Sequence, residues 1–192
     1  MKTISRMWLR TRLRAINLIE DCKGIAATEF AVIVPIMLVM FFGTVEFSSG
    51  VAVDRKVTLM ARTLSDLTSQ SLSVDDPTMT GFFAASGAIM TPYSSAPTLS
   101  TVSELYVDPA TLTAKVQWSK GSAARALNST VTIPTALQVA DTYLIFSEVS
   151  YRYVPTIGYV MAKAGVNLSD VAYTRPRQSR CVLYSPATVC PH

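Results

Sequence analysis

The sequence predicts an α+β protein: a long N-terminal helix, membrane-spanning in its first half and packed in its second, laid on a small antiparallel β-sheet. Three observations carry the prediction. Residues 25–47 are almost wholly apolar, with Glu29 and Glu46 their only charged residues. Apolar residues then recur at spacings of four and three through Leu67, the period of a helix with one buried face. From Leu99 onward, period-two segments alternate with short turns, the pattern of antiparallel strands.

Charge separates the first element from the rest. Only 16% of residues are charged and mean hydropathy is +0.32, an apolar balance for a chain of 192 residues. The net charge is +4. Residues 1–24 contain six basic and two acidic side chains, and the remaining 168 contain eleven of each, so the surplus precedes the apolar run. A nucleic-acid surface would place its basic residues on a folded domain, with aromatics interleaved. A basic flank beside an apolar run instead follows the positive-inside rule, because Lys and Arg stay on the cytoplasmic side. The expected arrangement is a cytoplasmic leader at 1–24, a single span at 25–47 and an extracytoplasmic domain at 48–192, with no nucleic-acid partner.

Phe30 to Gly43 contains no charge and is short for a span. Extending it from Ile25 to Val45 gives a length of about 31 Å, one bilayer core, provided Glu29 is tolerated. A carboxylate in lipid needs a partner or a proton. Pro35 removes one helical hydrogen bond and crowds the Ala31 carbonyl, so a mild kink is expected. The alternative is a secretory signal cut near Gly50-Val51-Ala52, for which the segment is long.

Beyond the span, Val53, Val57, Met60, Leu64 and Leu67 form the stripe, with Arg55, Lys56, Arg62 and Asp66 off it. Ser65 to Asp76 reads as a polar loop. Asp76-Pro77 supplies an N-cap and a proline at the first helical position of a helix over 77–90, which Pro92 ends. Two strands flank a turn at Asp108–Thr111. In the second, Ala114, Val116 and Trp118 share a face opposite Lys115, Gln117 and Ser119. TYLIFSEVSYRYVP is a longer strand with Tyr143, Ile145, Ser147, Val149, Tyr151 and Tyr153 on one face, and NLSDVAYTRPR is a fourth.

The stretch KGIAATEFAVIVPIMLVMFFGTVEFS resembles the N-terminus of TadE-like proteins, minor pseudopilins of tight-adherence (Flp) pilus systems. The shared pattern is a basic leader, Gly24, small residues, Glu29-Phe30, an apolar helix with Pro35, and Gly43-Thr44-Val45-Glu46-Phe47. SEVSYRYVP, AYTRPRQSRCV and AKVQWS are similar, less specifically, to later stretches of such proteins. The leader is long for this class, and Ile25 and Thr28 stand where Ala or Val is common. The resemblance implies a pilin-like fold and cleavage after Gly24 by a prepilin peptidase, making Ile25 the new N-terminus. It also implies inner-membrane anchoring and partners among other pilin subunits and the inner-membrane assembly machinery. Glu29 and Phe30 would then serve helix packing and assembly.

Enzymatic chemistry finds little footing. The single histidine is the terminal His192, and HExxH, CxxC, P-loop and GxGxxG patterns are absent. No catalytic role, cofactor or metal is expected. Cys22 precedes the apolar run, while Cys181 and Cys190 follow it; in an oxidising compartment these two would pair, and otherwise they stay as thiols. Arg175, Arg177 and Arg180 form a basic cluster that either meets anionic partners or is a solvated strand end. The competing functional reading is a membrane-tethered or secreted binding domain unrelated to pili.

Overall fold

The structure is a computed structural model that describes residues 23–155 and 165–190. The basic leader through Cys22 and the terminal His192 lie outside the described residues. The chain divides into two compact units, the first ending at Val45 and the second beginning at Glu46. Helix α1 (Lys23–Ser69) contributes to both.

In the first unit, none of the described residues 25–45 is buried. An 18-residue window of this helix has a mean hydropathy of 2.3, long and apolar enough to cross a membrane. The helix continues through Pro35.

The second unit is an α+β domain. Its described elements after α1 are β1 (Ser73–Val74), α2 (Asp76–Gly87), β2 (Thr98–Val107), β3 (Ala114–Gly121), β4 (Thr130–Val131), β5 (Thr142–Tyr153), β6 (Val166–Thr174) and β7 (Leu183–Tyr184). A five-stranded sheet has the order β4-β3-β2-β5-β6, with every neighbouring pair antiparallel. β1 and β7 pair separately and in parallel.

The stripe on α1 is the core face. Val53, Val57, Met60 and Leu64 are buried with Val102, Ile145, Val149, Tyr151 and Tyr153 of the sheet. Leu67 is only half-buried, and Ala61, Ser65 and Thr68 complete the buried face instead. This corrects the loop expected from Ser65: the helix runs on to Ser69. Its hydroxyls are satisfied inside the protein, Ser65 Oγ by Thr174 Oγ1 at 2.7 Å and Thr68 Oγ1 by the Leu64 carbonyl at 2.9 Å. Ser147 Oγ donates to the Ala61 carbonyl at 2.6 Å, joining sheet to helix. A Ser/Thr-rich stretch reads as loop only if those hydroxyls face water; here they face a sheet that carries hydroxyls of its own.

The second helix is shifted by one residue from expectation. Asp75, not Asp76, is the N-cap, its Oδ1 accepting from the Thr78 N–H at 2.8 Å, so Pro77 follows Asp76 inside the first turn. α-Helix gives way at Gly87 to a short 3-10 turn, Ala88–Met90. The Lys56 ammonium donates to the Ile89 and Thr91 carbonyls at 2.8 Å each, a cation at a helix C-terminus.

A β-bulge overturns the expected facing of β3. Glu104 lies opposite Trp118, but Leu105 lies opposite Val116, so Gln117 is the extra residue. Trp118 therefore joins the helix-side core, while Ala114 and Val116 pack on the other face with Leu105, Val107, Leu144 and Phe146. Strict alternation fails at a bulge because one inserted residue reverses the parity of every side chain beyond it.

At the end of β3, Gly121 adopts a φ of +132°, and a Cβ there would lie 2.1 Å from the Ser100 carbonyl oxygen. Gly121→Ala is expected to lower the urea unfolding midpoint, at a cost on the order of 1–3 kcal/mol from backbone strain alone. An unchanged midpoint would show that this corner rearranges freely.

Candidate functional site

The first unit is distinguished by what surrounds its one acid. Glu29 is the only charged residue between Ile25 and Val45. It sits four residues after Ile25, one helical turn along the same face. Both residues are exposed, as is Phe30 at 69%. The other polar side chains are satisfied within the helix: Thr28 Oγ1 donates to the Ile25 carbonyl and Thr44 Oγ1 to the Met40 carbonyl, each at 2.8 Å. A helix in lipid requires this, since no water is present to accept the hydroxyl proton. Around these residues Val32, Ile33, Ile36, Met37, Val39 and Met40 are all more than half exposed, an apolar surface in every direction. Gly24 lies in the first turn of α1. At Gly43 an added Cβ would meet nothing within 4 Å.

Sequence reasoning singled out Glu46 only as part of a motif. The structure gives it a partner: Tyr153 Oη donates to Glu46 Oε2 at 3.0 Å, tying the start of the domain's helix to the end of β5. Burial, and then this bond to a carboxylate, push the Tyr153 phenol up to about 12.

The C-terminal segment is fastened at its middle. Cys181 and Cys190 are joined by a disulfide, with Cα atoms 5.8 Å apart. Beside it, the Val182 N–H donates to Glu104 Oε1 at 2.6 Å, and the Trp118 indole N–H donates to the Val182 carbonyl at 2.8 Å. The Leu183 N–H donates to the Leu72 carbonyl and the Ser185 N–H to the Val74 carbonyl, so the tail also holds the loop after α1.

Glu104 is the residue that sequence reasoning missed. It is fully buried, and its Oε2 has no hydrogen-bond partner among the described residues. Burial pushes its carboxyl up to about 8, against the lowering pull of the Val182 N–H and the nearby Trp118 indole. The available signal was an acid inside the apolar strand TVSELYV, but strand parity alone allows such an acid to face water.

The arginines do not act as one cluster. Arg177 pairs with Asp66 at 2.5 Å, and Arg180 pairs with Asp141. Arg175 is exposed. Two of the three charges are therefore matched by acids remote in sequence, Asp66 near the end of α1 and Asp141 just before β5. Among the described residues, no three His, Cys, Asp or Glu side chains gather as metal ligands.

Residues 24–64 match the family model described as TadE-like protein, from Gly24 through the apolar run to Leu64. The N-terminal segment is TadE-like by that match. No curated protein matches the chain and no solved structure does.

Proposed function

We propose, from the TadE-like match over residues 24–64, that this chain is a minor pseudopilin in tight-adherence (Flp) pilus assembly, with a structural rather than catalytic role. In this reading a prepilin peptidase cuts after Gly24 at the cytoplasmic face of the inner membrane. The new chain is held by one span, with its C-terminal domain on the periplasmic side. Its partners are other pilin-type subunits and the inner-membrane assembly machinery.

The observation that carries the reading is the placement of Glu29. It is an exposed acid one turn from Ile25 and the only charged residue in the apolar run from Ile25 to Val45. Cleavage would turn the Ile25 amide nitrogen into a free ammonium. In lipid, neither that charge nor the carboxylate is tolerable alone, and pairing relieves both. Pairing between chains sets the register in which helices pack, because every other contact along them is apolar and tolerant of sliding.

Glu29→Gln and Glu29→Ala are expected to leave cleavage after Gly24 largely intact but to reduce piliation strongly; normal piliation would rule out a register role. Gly24→Leu is expected to leave the precursor uncut. Its cleavage at the wild-type position would remove the peptidase reading.

One observation favours a membrane-tethered binding domain instead. A groove of about 730 Å³ is lined by Trp118, Tyr184, Pro186, Lys120 and Arg125. Both of its cations are already engaged, Lys120 with Asp76 at 3.0 Å and Arg125 with Glu148 at 2.7 Å, so the groove offers an anionic ligand no unmatched charge. N-terminal sequencing of the membrane-extracted protein separates the readings: Ile25 supports the pseudopilin, Met1 a plain anchor and Val53 a secreted domain.

A further inference from the structure

Glu104 stands in the middle of β2 with its side chain fully buried, and three elements enclose it. β3 brings Trp118 opposite it, and β5 brings Ile145. The C-terminal tail brings Val182, which is itself fully buried. Val182 is held through both of its backbone groups: its N–H donates to Glu104 Oε1 at 2.6 Å, and its carbonyl accepts from the Trp118 indole at 2.8 Å. Glu104 Oε2 has no partner among the described residues. An acid so placed is tolerated while it keeps its proton. Without the proton, a charge is sealed from water on a group with one oxygen that nothing solvates.

The enclosing elements differ in how firmly they are held. β2 pairs with β5 from Thr98 to Val107 and with β3 from Thr101 to Val107, so moving either strand breaks the sheet. Beyond Val182, the tail is attached by the two-residue pairing of β7 with β1 and by two side-chain contacts, Arg180 with Asp141 and Tyr184 with Asp76. The disulfide joins Cys181 to Cys190, both within the tail. It keeps the tail a closed loop without tethering that loop to the sheet. Local opening takes the element that loses least, which here is the tail.

We propose that Glu104 is a protonation latch on the C-terminal tail: the neutral acid holds Val182 down, and loss of its proton to solvent lifts the segment from Cys181 to Ser185 off Trp118 while the helix-on-sheet core stays folded. Opening admits water to Oε2, which relieves the buried charge. Burial pushes the Glu104 carboxyl up to about 8, so the latch is closed at neutral pH and opens as pH rises through that value. Other ionisable groups around it do not titrate in this range. Tyr143 of β5 feels the Glu104 charge, and Tyr184 of the tail lies against the Trp118 ring; burial pushes both phenols up. Arg180 sits over the Tyr143 ring and pairs with Asp141, and Lys120 pairs with Asp76 beside Tyr184. The buried face of α1, from Val53 to Ser69, carries no ionisable side chain. The latch lies wholly within the second unit and does not depend on the reading of the span.

The test uses the full chain in detergent, with the disulfide oxidised and Trp8, the other tryptophan, replaced by phenylalanine, so that Trp118 alone reports. Quenching by acrylamide, which is neutral, is measured from pH 6.5 to pH 9.5, with far-ultraviolet circular dichroism read in parallel. The expected result is a several-fold rise in quenching across pH 8 at constant dichroism, absent from Glu104→Gln. Glu104→Met fills the site without a proton or a charge and should also show no step, which keeps the comparison available if the glutamine variant does not fold. Flat quenching in the parent chain would overturn the latch. An equal rise in the parent and in either variant would assign the opening to another group and overturn it. A rise accompanied by loss of dichroism would mean that the whole domain opens rather than the tail, which also overturns it.

Discussion

Glu104→Gln is expected to make the folded chain markedly more stable at alkaline pH and to flatten its stability between pH 5 and pH 8. In the unfolded chain the carboxyl titrates near 4.5, and in the folded chain near 8. Below about 4.5 both states hold the proton, and the group contributes no pH dependence. Between those values only the folded state holds it, so stability falls as pH rises. Above about 8 the loss is complete, on the order of 4–5 kcal/mol. Glutamine keeps an oxygen for the Val182 N–H and does not titrate, so the slope should vanish. At pH 5 the variant should be no more stable than the wild type, because its amide brings donors into a site that offers Oε2 no partner. Urea unfolding of the full chain in detergent at pH 5, 7 and 8.5 reads this directly. Parallel midpoints for the two proteins across that range would show that Glu104 is not buried as a neutral acid.

The second large effect is expected at Trp118. The residue is 6% exposed, fills the helix-side core beside Glu104 and meets the Tyr184 ring at 5.5 Å between centroids. Trp118→Ala should cost about 3–5 kcal/mol through lost burial and the cavity left behind. Trp118→Phe retains much of the packing but leaves the buried Val182 carbonyl without its donor, an expected cost of about 1–3 kcal/mol. Urea midpoints for the two variants separate packing from the hydrogen bond. A phenylalanine variant as stable as wild type would mean that the indole N–H contributes nothing to holding the tail. The disulfide, a further restraint on the tail, closes a short loop and contributes roughly 2–3 kcal/mol in the chain-entropy picture.

Trp118 also shows where a linear reading stops. Its run, AKVQWS, alternates perfectly, and by parity its tryptophan belongs with Ala114 and Val116. The bulge at Gln117 places it in the opposite core. Nothing in the six residues announces the bulge, because it is a property of the pairing between β2 and β3. The helix end misled in a related way. Ser65, Thr68 and Ser69 look like loop residues, yet all three are buried. Ser65 finds a carbonyl of β5 and a hydroxyl of β6, many residues away, while Thr68 and Ser69 turn their hydroxyls back to the Leu64 and Asp66 carbonyls of the helix itself. The arginines of the C-terminal segment could be read as a cluster only while the acids that neutralise two of them, Asp66 and Asp141, were out of view.

Features set by neighbours in sequence were legible without coordinates. The apolar run and its one acid follow from composition over a single helix, whose hydrogen bonds are all local. The stripe at Val53, Val57, Met60 and Leu64 follows from helical period, and the turn at Asp108 from side-chain bonding to nearby N–H groups, since Asp108 Oδ1 accepts from Ala110 at 2.8 Å. The TadE-like signature lies in this same local stretch. Tertiary structure alone decided the facing of Trp118, the burial of Glu104 under Val182 and the partner of Glu46. Each depends on contacts across large sequence separations, where burial and dielectric environment, rather than residue type, determine whether an acid is a surface charge or a buried proton carrier.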